Sequence, residues 1–321
     1  MSSATMSAPK RWWPHVRRIA TLVFFVLVAA LLFSQARQIE WAEVGTALRA
    51  YPARTLLAAA ALAALSHAIY SSFDLFGRHW TQHGLPVRQV MPLTFVCYAF
   101  NLNLGALVGG FAMRYRLYSR LGLPADTITR VVGMSMVTNW LGYLVLAGTA
   151  FSAQIITPPA GWHVGALALQ VLGVGLLVLA AAYLLACTFS PGRTLSLRGH
   201  EFTLPSGRVA GLQLAVSSLN WAVMGCVLYV LLQGRVDYTL VLGTLLVAAV
   251  AGVLTHIPAG LGVLEAVFIA LIGSQVPRNE LLGALLAYRA LYYLVPLLLA
   301  VGVYLVLEAR AGNGKAGRPR R

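Results

Sequence analysis

The sequence specifies an all-α polytopic membrane protein with about six to eight transmembrane helices. Of its 321 residues, 59% are hydrophobic and 10% charged, where an ordinary soluble domain carries about 25% charged residues. Apolar runs of about 20 residues, long enough to span a bilayer, recur along the chain. Two of these runs are broken at depth by asparagine, glycine or proline. Broken backbone survives there only where protein or a water-filled cavity satisfies it, which suits two re-entrant hairpins. Lys and Arg outnumber Asp and Glu by 24 to 9, but they cluster in tails and short loops beside apolar runs. That is the pattern of cytoplasmic flanks, so no nucleic-acid partner is expected.

The N-terminal segment 1–18 reads as a basic tail, with Trp12 and Trp13 suited to the interface. The first span is expected at Ile19–Ala36; it is long and lacks a small-residue cleavage site, unlike a secretory signal. Arg37–Arg54 then forms an external loop. A second span, Thr55–Phe76, carries His67 and, near its end, Asp74, which reads as an interface residue. Later spans fall at Val131–Phe151, Gly165–Phe189, Val209–Leu232 and Leu281–Leu307, and 308–321 is a second basic tail. The loop Ser190–Arg208 is basic, hence cytoplasmic, and its Gly and Pro residues read as a turn with a small hairpin. Cys97, Cys187 and Cys226 have no metal or redox spacing, and no cofactor is expected.

The run Val90–Met113 is polar and Gly-rich at its centre and basic on both flanks. A cytoplasmic hairpin turning near Asn101–Gly105 satisfies the charge bias; a full crossing packed through its glycines is the alternative. In the run Tyr238–Gly273, His256 precedes a Pro258-Ala259-Gly260 break and Glu265 follows it. The expectation is an external hairpin, with a Pro kink and a capping Glu265 as the alternative. Each broken segment has a break, then a Gly pair (Gly109 and Gly110; Gly260 and Gly262), then one charge (Arg114; Glu265). Such correspondence in opposite orientation is that of inverted repeats. The count is six crossings plus two hairpins, or eight crossings if both halves of the second hairpin span.

His256-Ile-Pro-Ala-Gly-Leu-Gly-Val-Leu-Glu265, with Tyr288-Arg289 through Pro296, resembles the flippase-like membrane domain of the lysylphosphatidylglycerol synthetase superfamily. Asn101–Arg114, Asn220-Trp221 and Leu204–Gly207 fit the same comparison, which covers nearly the whole chain and is closest to stand-alone members. Ala259 departs from it, since the family more often has a second glycine there. The resemblance implies the lipid-translocating membrane half at 19–307, without the aminoacyl-transferring domain and its chemistry. It also implies the plasma (bacterial inner) membrane, with both termini cytoplasmic by the charge bias.

A flippase must shelter an anionic headgroup while acyl tails stay in lipid. The substrate path expected here is lined by Asn101, Asn103, Gly109, Gly110, Arg114, His256, Pro258, Gly260, Gly262, Glu265, Arg289, Tyr292 and Tyr293. The helix starting near Gly262 offers oriented N–H groups, and Arg114 and Arg289 suit bidentate phosphate contact. The other reading of Arg289 is snorkelling to the outer interface. Tyr292 and Tyr293 either contact Arg289 or belong to an aromatic belt. Asn139 and Asn220 read as interhelical hydrogen-bonding residues. The high cost of an unpaired acid at depth predicts an arginine partner for Glu265, with Arg114 preferred over Arg289. The expected partner molecule is a membrane phospholipid or other anionic lipid. Association with a second copy or with a lipid-synthesising enzyme stays open. The competing class is a membrane-embedded transferase or accessory subunit in lipid or polyprenyl-phosphate-sugar metabolism. Against it, the sequence has no HExxH, no GxSxG and no paired acids, so no enzyme activity is expected.

Overall fold

The computed structural model describes residues 40–158, 165–190, 192–197, 200–255 and 260–316, with separate positions between 23 and 37. The chain divides after Glu40 into two compact units. In the first, the described positions from 23 to 37 are helical, and the Arg37 guanidinium lies 4.6 Å from the Phe33 ring centre. The expected first span falls largely outside the described residues.

The second unit begins with a short helix, α1 (Trp41–Arg49), inside the segment expected to be loop. Glu43 in its first turn and Arg49 in its last complement the helix dipole. Next come α2 (Ala53–Ser71) and α3 (Phe73–Thr81), offset at Ser72. A broken segment follows: α4 (Val87–Gly105), a π-helical stretch Ala106–Ala112, and α5 (Met113–Arg120). Two long helices are α6 (Ala125–Ser152) and α7 (Ala166–Phe189). The expected small hairpin is present as β1 (Thr194–Leu197) paired antiparallel with β2 (His200–Thr203). Beyond it run α8 (Gly207–Leu231), α9 (Tyr238–Thr255), α10 (Val263–Ile272) and α11 (Arg278–Tyr288). A second π-helical stretch, Arg289–Leu294, leads into α12 (Val295–Ala316). Pro296 lies just beyond it, where its ring crowds the carbonyl of Tyr292 one turn back, which a widened turn relieves.

Among the described residues, seven helical stretches are long and apolar enough to cross a membrane. Together with the dominance of helix, they make this an all-α polytopic membrane protein. One of the seven, Val87–Arg120, is not a straight crossing. In a straight helix Asn101 and Gly109 would lie about 12 Å apart at 1.5 Å per residue. Instead a Cβ on Gly109 would sit 2.1 Å from the Asn101 nitrogen. The chain reverses at Gly105, whose φ of +81° and ψ of 170° only glycine adopts easily. The arms then run antiparallel, and the glycines at 109 and 110 let the backbones touch. The turn falls at the end of the stretch expected for it.

The second break also reverses the chain. α9 and α10 pack against each other across a connector of seven residues. The ten residues of α10 rise about 15 Å, half of a hydrocarbon core of about 30 Å. Two left-handed glycines, Gly260 (φ +56°) and Gly262 (φ +78°), shape this turn, and Gly262 caps α10. Ala259, like His256 and Pro258, falls outside the described residues.

Close helix contact through small residues holds the remainder together. A Cβ on Gly142 of α6 would meet Ser217 of α8 at 2.3 Å, and one on Gly77 of α3 would meet Val131 at 2.8 Å. By contrast α7 exposes Val171, Val178 and Leu185 by 64%, 61% and 54%. A helix apolar on its exposed face is one that faces lipid.

Candidate functional site

The helix running from Arg278 to Leu307 is a ruler for the two hairpins. At one end Arg235, just before α9, pairs with Glu280. Further in, Arg289 donates through Nε to Glu265 Oε1 at 2.5 Å and through Nη2 to Oε2 at 2.8 Å. Nη2 also donates to the Gly260 carbonyl at 3.0 Å. The second hairpin therefore enters from the Glu280 end and places its tip at Arg289. At the other end Arg116 of α5 donates to the Tyr304 hydroxyl at 3.1 Å. Asn103, beside the first hairpin's tip, donates through Nδ2 to the Tyr293 carbonyl at 3.2 Å. The first hairpin therefore enters from the Tyr304 end. Between Glu280 and Tyr304 lie about 36 Å of helix at 1.5 Å per residue, and the two tips meet near its middle.

Each hairpin is held by one arginine that grips a carboxylate with two nitrogens and a glycine carbonyl with another bond. In the first hairpin Arg114 donates to Asp74 Oδ2 and Oδ1 at 3.2 and 3.3 Å, and to the Gly110 carbonyl at 3.2 Å. Ser135 accepts a further bond at 3.4 Å, and the Tyr118 hydroxyl donates to Asp74 at 2.9 Å. The device is the same at both sites with the charges exchanged: the arginine is on the first hairpin and the acid on the second. The preferred Arg114–Glu265 pair is therefore wrong. Arg114 finds Asp74 on its own side, and Glu265 takes Arg289. Asp74, read from the sequence as an interface residue, is fully buried within the protein. Arg289, its side chain 11% exposed, does not snorkel outward.

A polar layer crosses the bundle at the level of the tips. Ser66 Oγ donates to Asn220 Oδ1 at 2.8 Å and contacts the Tyr292 hydroxyl at 2.7 Å, which in turn contacts the Tyr98 hydroxyl at 3.0 Å. Each hydroxyl has one proton, so the direction is set: Tyr98 donates to Tyr292, Tyr292 to Ser66, and Ser66 to Asn220. Tyr292 thus serves this chain rather than Arg289. Tyr293 lies nearer the arginine, its ring centre 5.9 Å from the guanidinium carbon. Asn220 bonds across helices as expected. Asn139 does so through its backbone carbonyl, which accepts from Ser217 and Trp221. Asn101 is half-buried against the glycines of its own hairpin.

Ser66 and Tyr98 were missed. A serine and a tyrosine within apolar runs carry no sequence signal, and only the packing of α2 against α4 brings them to Tyr292. Two hollows flank the layer. One, of about 650 Å³, lies at the Glu280 end between α1 and α11, with Glu43, Tyr51, Arg235 and Asn279 among its walls. Burial, and then the Glu280 carboxylate, push the Tyr51 phenol above its ordinary pKa. The other, of about 440 Å³, is an apolar groove between α2, α4 and the last helix, bordered by His67.

These features define a multi-pass helical membrane protein whose two broken segments approach from opposite ends of the last helix and meet near its middle. Comparison with known proteins gives the family: residues 18–300 match the lysylphosphatidylglycerol synthase TM region, and the chain belongs to that family. The inner membrane protein YbhN of Escherichia coli (strain K12) is 48% identical, over 97% of this chain and 98% of its own. The protein slr0712 of Synechocystis is 28% identical over 93% of this chain and 95% of its own. The phosphatidylglycerol lysyltransferase of Staphylococcus haemolyticus is 24% identical over 87% of this chain, but that stretch is 32% of the lysyltransferase. The similarity to the lysyltransferase is thus to about a third of its length.

Proposed function

We propose that this protein moves a phospholipid or other anionic lipid between leaflets, along a path formed where the hairpin tips meet. One observation carries the reading: two broken segments approach from opposite ends of the last helix and converge on Arg289–Tyr293. A bundle built only to hold itself together needs no broken backbone at that depth, where each loose N–H or C=O is costly. The α10 N-terminus directs its N–H groups and partial positive charge into the same region. Arg289 is the headgroup contact in this reading. It exchanges Glu265 for the lipid phosphate, which it grips with the same two nitrogens, and Glu265 re-forms the pair once lipid leaves. In this reading the charge bias turns the basic loop Ser190–Arg208 toward the cytoplasm and Gln275–Glu280 outward.

Liposomes carrying the purified protein and fluorescent lipids of several headgroups test this. Headgroup-dependent movement that falls at least about tenfold in Arg289→Gln, the loss of one charge-assisted contact, is the expected result. A covalently altered lipid would turn the reading toward a transferase. Movement unaffected by Arg289→Gln would remove the path from this position.

A further inference from the structure

The apolar groove between α2, α4 and the last helix holds a feature that lipid movement through the arginine site does not use. Its walls are Ala60, Ala64 and Ala68 of α2, Pro92 and Phe95 of α4, and Leu299 of the last helix, among others. Leu299 is 60% exposed, so the groove reaches the lipid-facing surface. Ala60, Ala64 and Ala68, four residues apart, lie on one helix face and leave a smooth strip. His67 stands at the inner wall, 2% exposed, with its ring 5.9 Å from Phe95, 5.1 Å from Tyr98 and 4.8 Å from Tyr292. Its Nδ1 lies 2.9 Å from the Ala63 carbonyl. A carbonyl only accepts, so Nδ1 carries the proton. In the neutral ring Nε2 is then an acceptor, turned away from its own helix. Nε2 is buried with no hydrogen-bond partner. A buried acceptor without a donor loses its share of solvation free energy, and the nearest hydroxyls, on Tyr98 and Tyr292, already donate elsewhere. The other polar side chain on the groove, Ser71, donates to the His67 carbonyl at 2.6 Å.

We infer that this groove is a lateral binding site for a membrane lipid, one acyl chain lying along the alanine strip and a hydroxyl of the lipid donating to His67 Nε2. The apolar walls select a chain, and the single acceptor selects a donor. The depth sets which state of the lipid fits. His67 lies against Tyr292 with the rings tilted by 55°, level with the meeting point of the hairpin tips, far from where a resting lipid keeps its polar groups. A lipid whose hydroxyl reaches His67 has left its leaflet position. The site binds whether or not the lipid goes on to cross, and it involves neither Arg289 nor Glu265.

The test uses the full chain in nanodiscs with a diacylglycerol carrying a photoreactive diazirine on one chain, compared with its O-methyl ether. The two probes differ in one donor. Labelled peptides from Met91–Phe95 and Leu291–Leu299 are quantified by mass spectrometry. The alcohol should label them about tenfold more than the ether, the ratio given by one hydrogen bond of about 1.4 kcal/mol. His67→Phe should lower the alcohol to the ether's level and leave the ether unchanged, while Ala64→Trp should remove both. Equal labelling by alcohol and ether in the unaltered chain overturns the inference, as does an excess that persists in His67→Phe. If His67→Phe does not fold, the alcohol-to-ether ratio alone decides. Neither probe carries phosphate, so failure here leaves the arginine path untouched, and failure of that path leaves this site standing.

Discussion

Asp74 and Arg114, 40 positions apart, form an ion pair that is almost wholly withdrawn from the surface, at 0% and 4% side-chain exposure. Breaking such a pair strands one charge and costs about 3–5 kcal/mol, whereas removing both charges together costs far less. Asp74→Asn and Arg114→Met should each lower the thermal unfolding midpoint sharply in detergent, and the double variant should recover much of the loss. Strictly additive losses would mean the pair is not coupled. At Arg289 and Glu265, where the side chains are 11% and 21% exposed, the same cycle should give a smaller stability loss, with lipid movement lost in all three variants. Stability belongs to the first pair and the proposed function to the second, so the two cycles should differ in which quantity responds.

At the scale of elements, the first hairpin depends on backbone contact between its arms. Gly109→Ala would bring a Cβ to 2.1 Å from the Asn101 nitrogen. Backbone cannot move aside as a side chain does, so a cost of at least about 1–3 kcal/mol is expected. Gly252→Ala in α9, where nothing lies within 4 Å, should be neutral or stabilising by up to about 1 kcal/mol. Equal midpoints for these two variants would show that the arms separate easily. Gly262→Ala replaces the left-handed residue that starts α10 (φ +78°), a conformation that costs an L-residue roughly 1–2 kcal/mol. Its strain should displace the tip from Arg289, visible as a lower thermal unfolding midpoint.

For the whole molecule, the opposed hairpins make a topological prediction. In intact cells, a cysteine at Arg116 should resist an impermeant thiol reagent, and one at Asn279 should react. Reaction at both positions would bring the hairpins in from one face and end the inverted arrangement. The last helix joins the two halves, because both tips bond to it within Arg289–Tyr293. At that point consecutive tyrosines serve different partners, Tyr292 the buried hydroxyl chain and Tyr293 the region around Arg289.

Much of this architecture was legible in the chain alone. Apolar runs of spanning length dictate helices, because backbone in lipid must satisfy its own hydrogen bonds. The glycine and asparagine cluster at 101–110 and the glycines at 260 and 262 mark reversals for the same reason, since only small or polar residues tolerate them. The cost of an unpaired charge at depth pointed to an arginine partner for Glu265. Which arginine pairs with it was decided by the tertiary structure. Asp74, at the end of what reads as a single span, comes level with Arg114 only after the chain folds back at Gly105, and no periodicity records that distance. Likewise Ser66, Tyr98, Asn220 and Tyr292 sit in four separate apolar runs with nothing to connect them in sequence. A hydrogen bond acts over about 3 Å, so the identity of each partner is settled only when helices distant in sequence pack side by side.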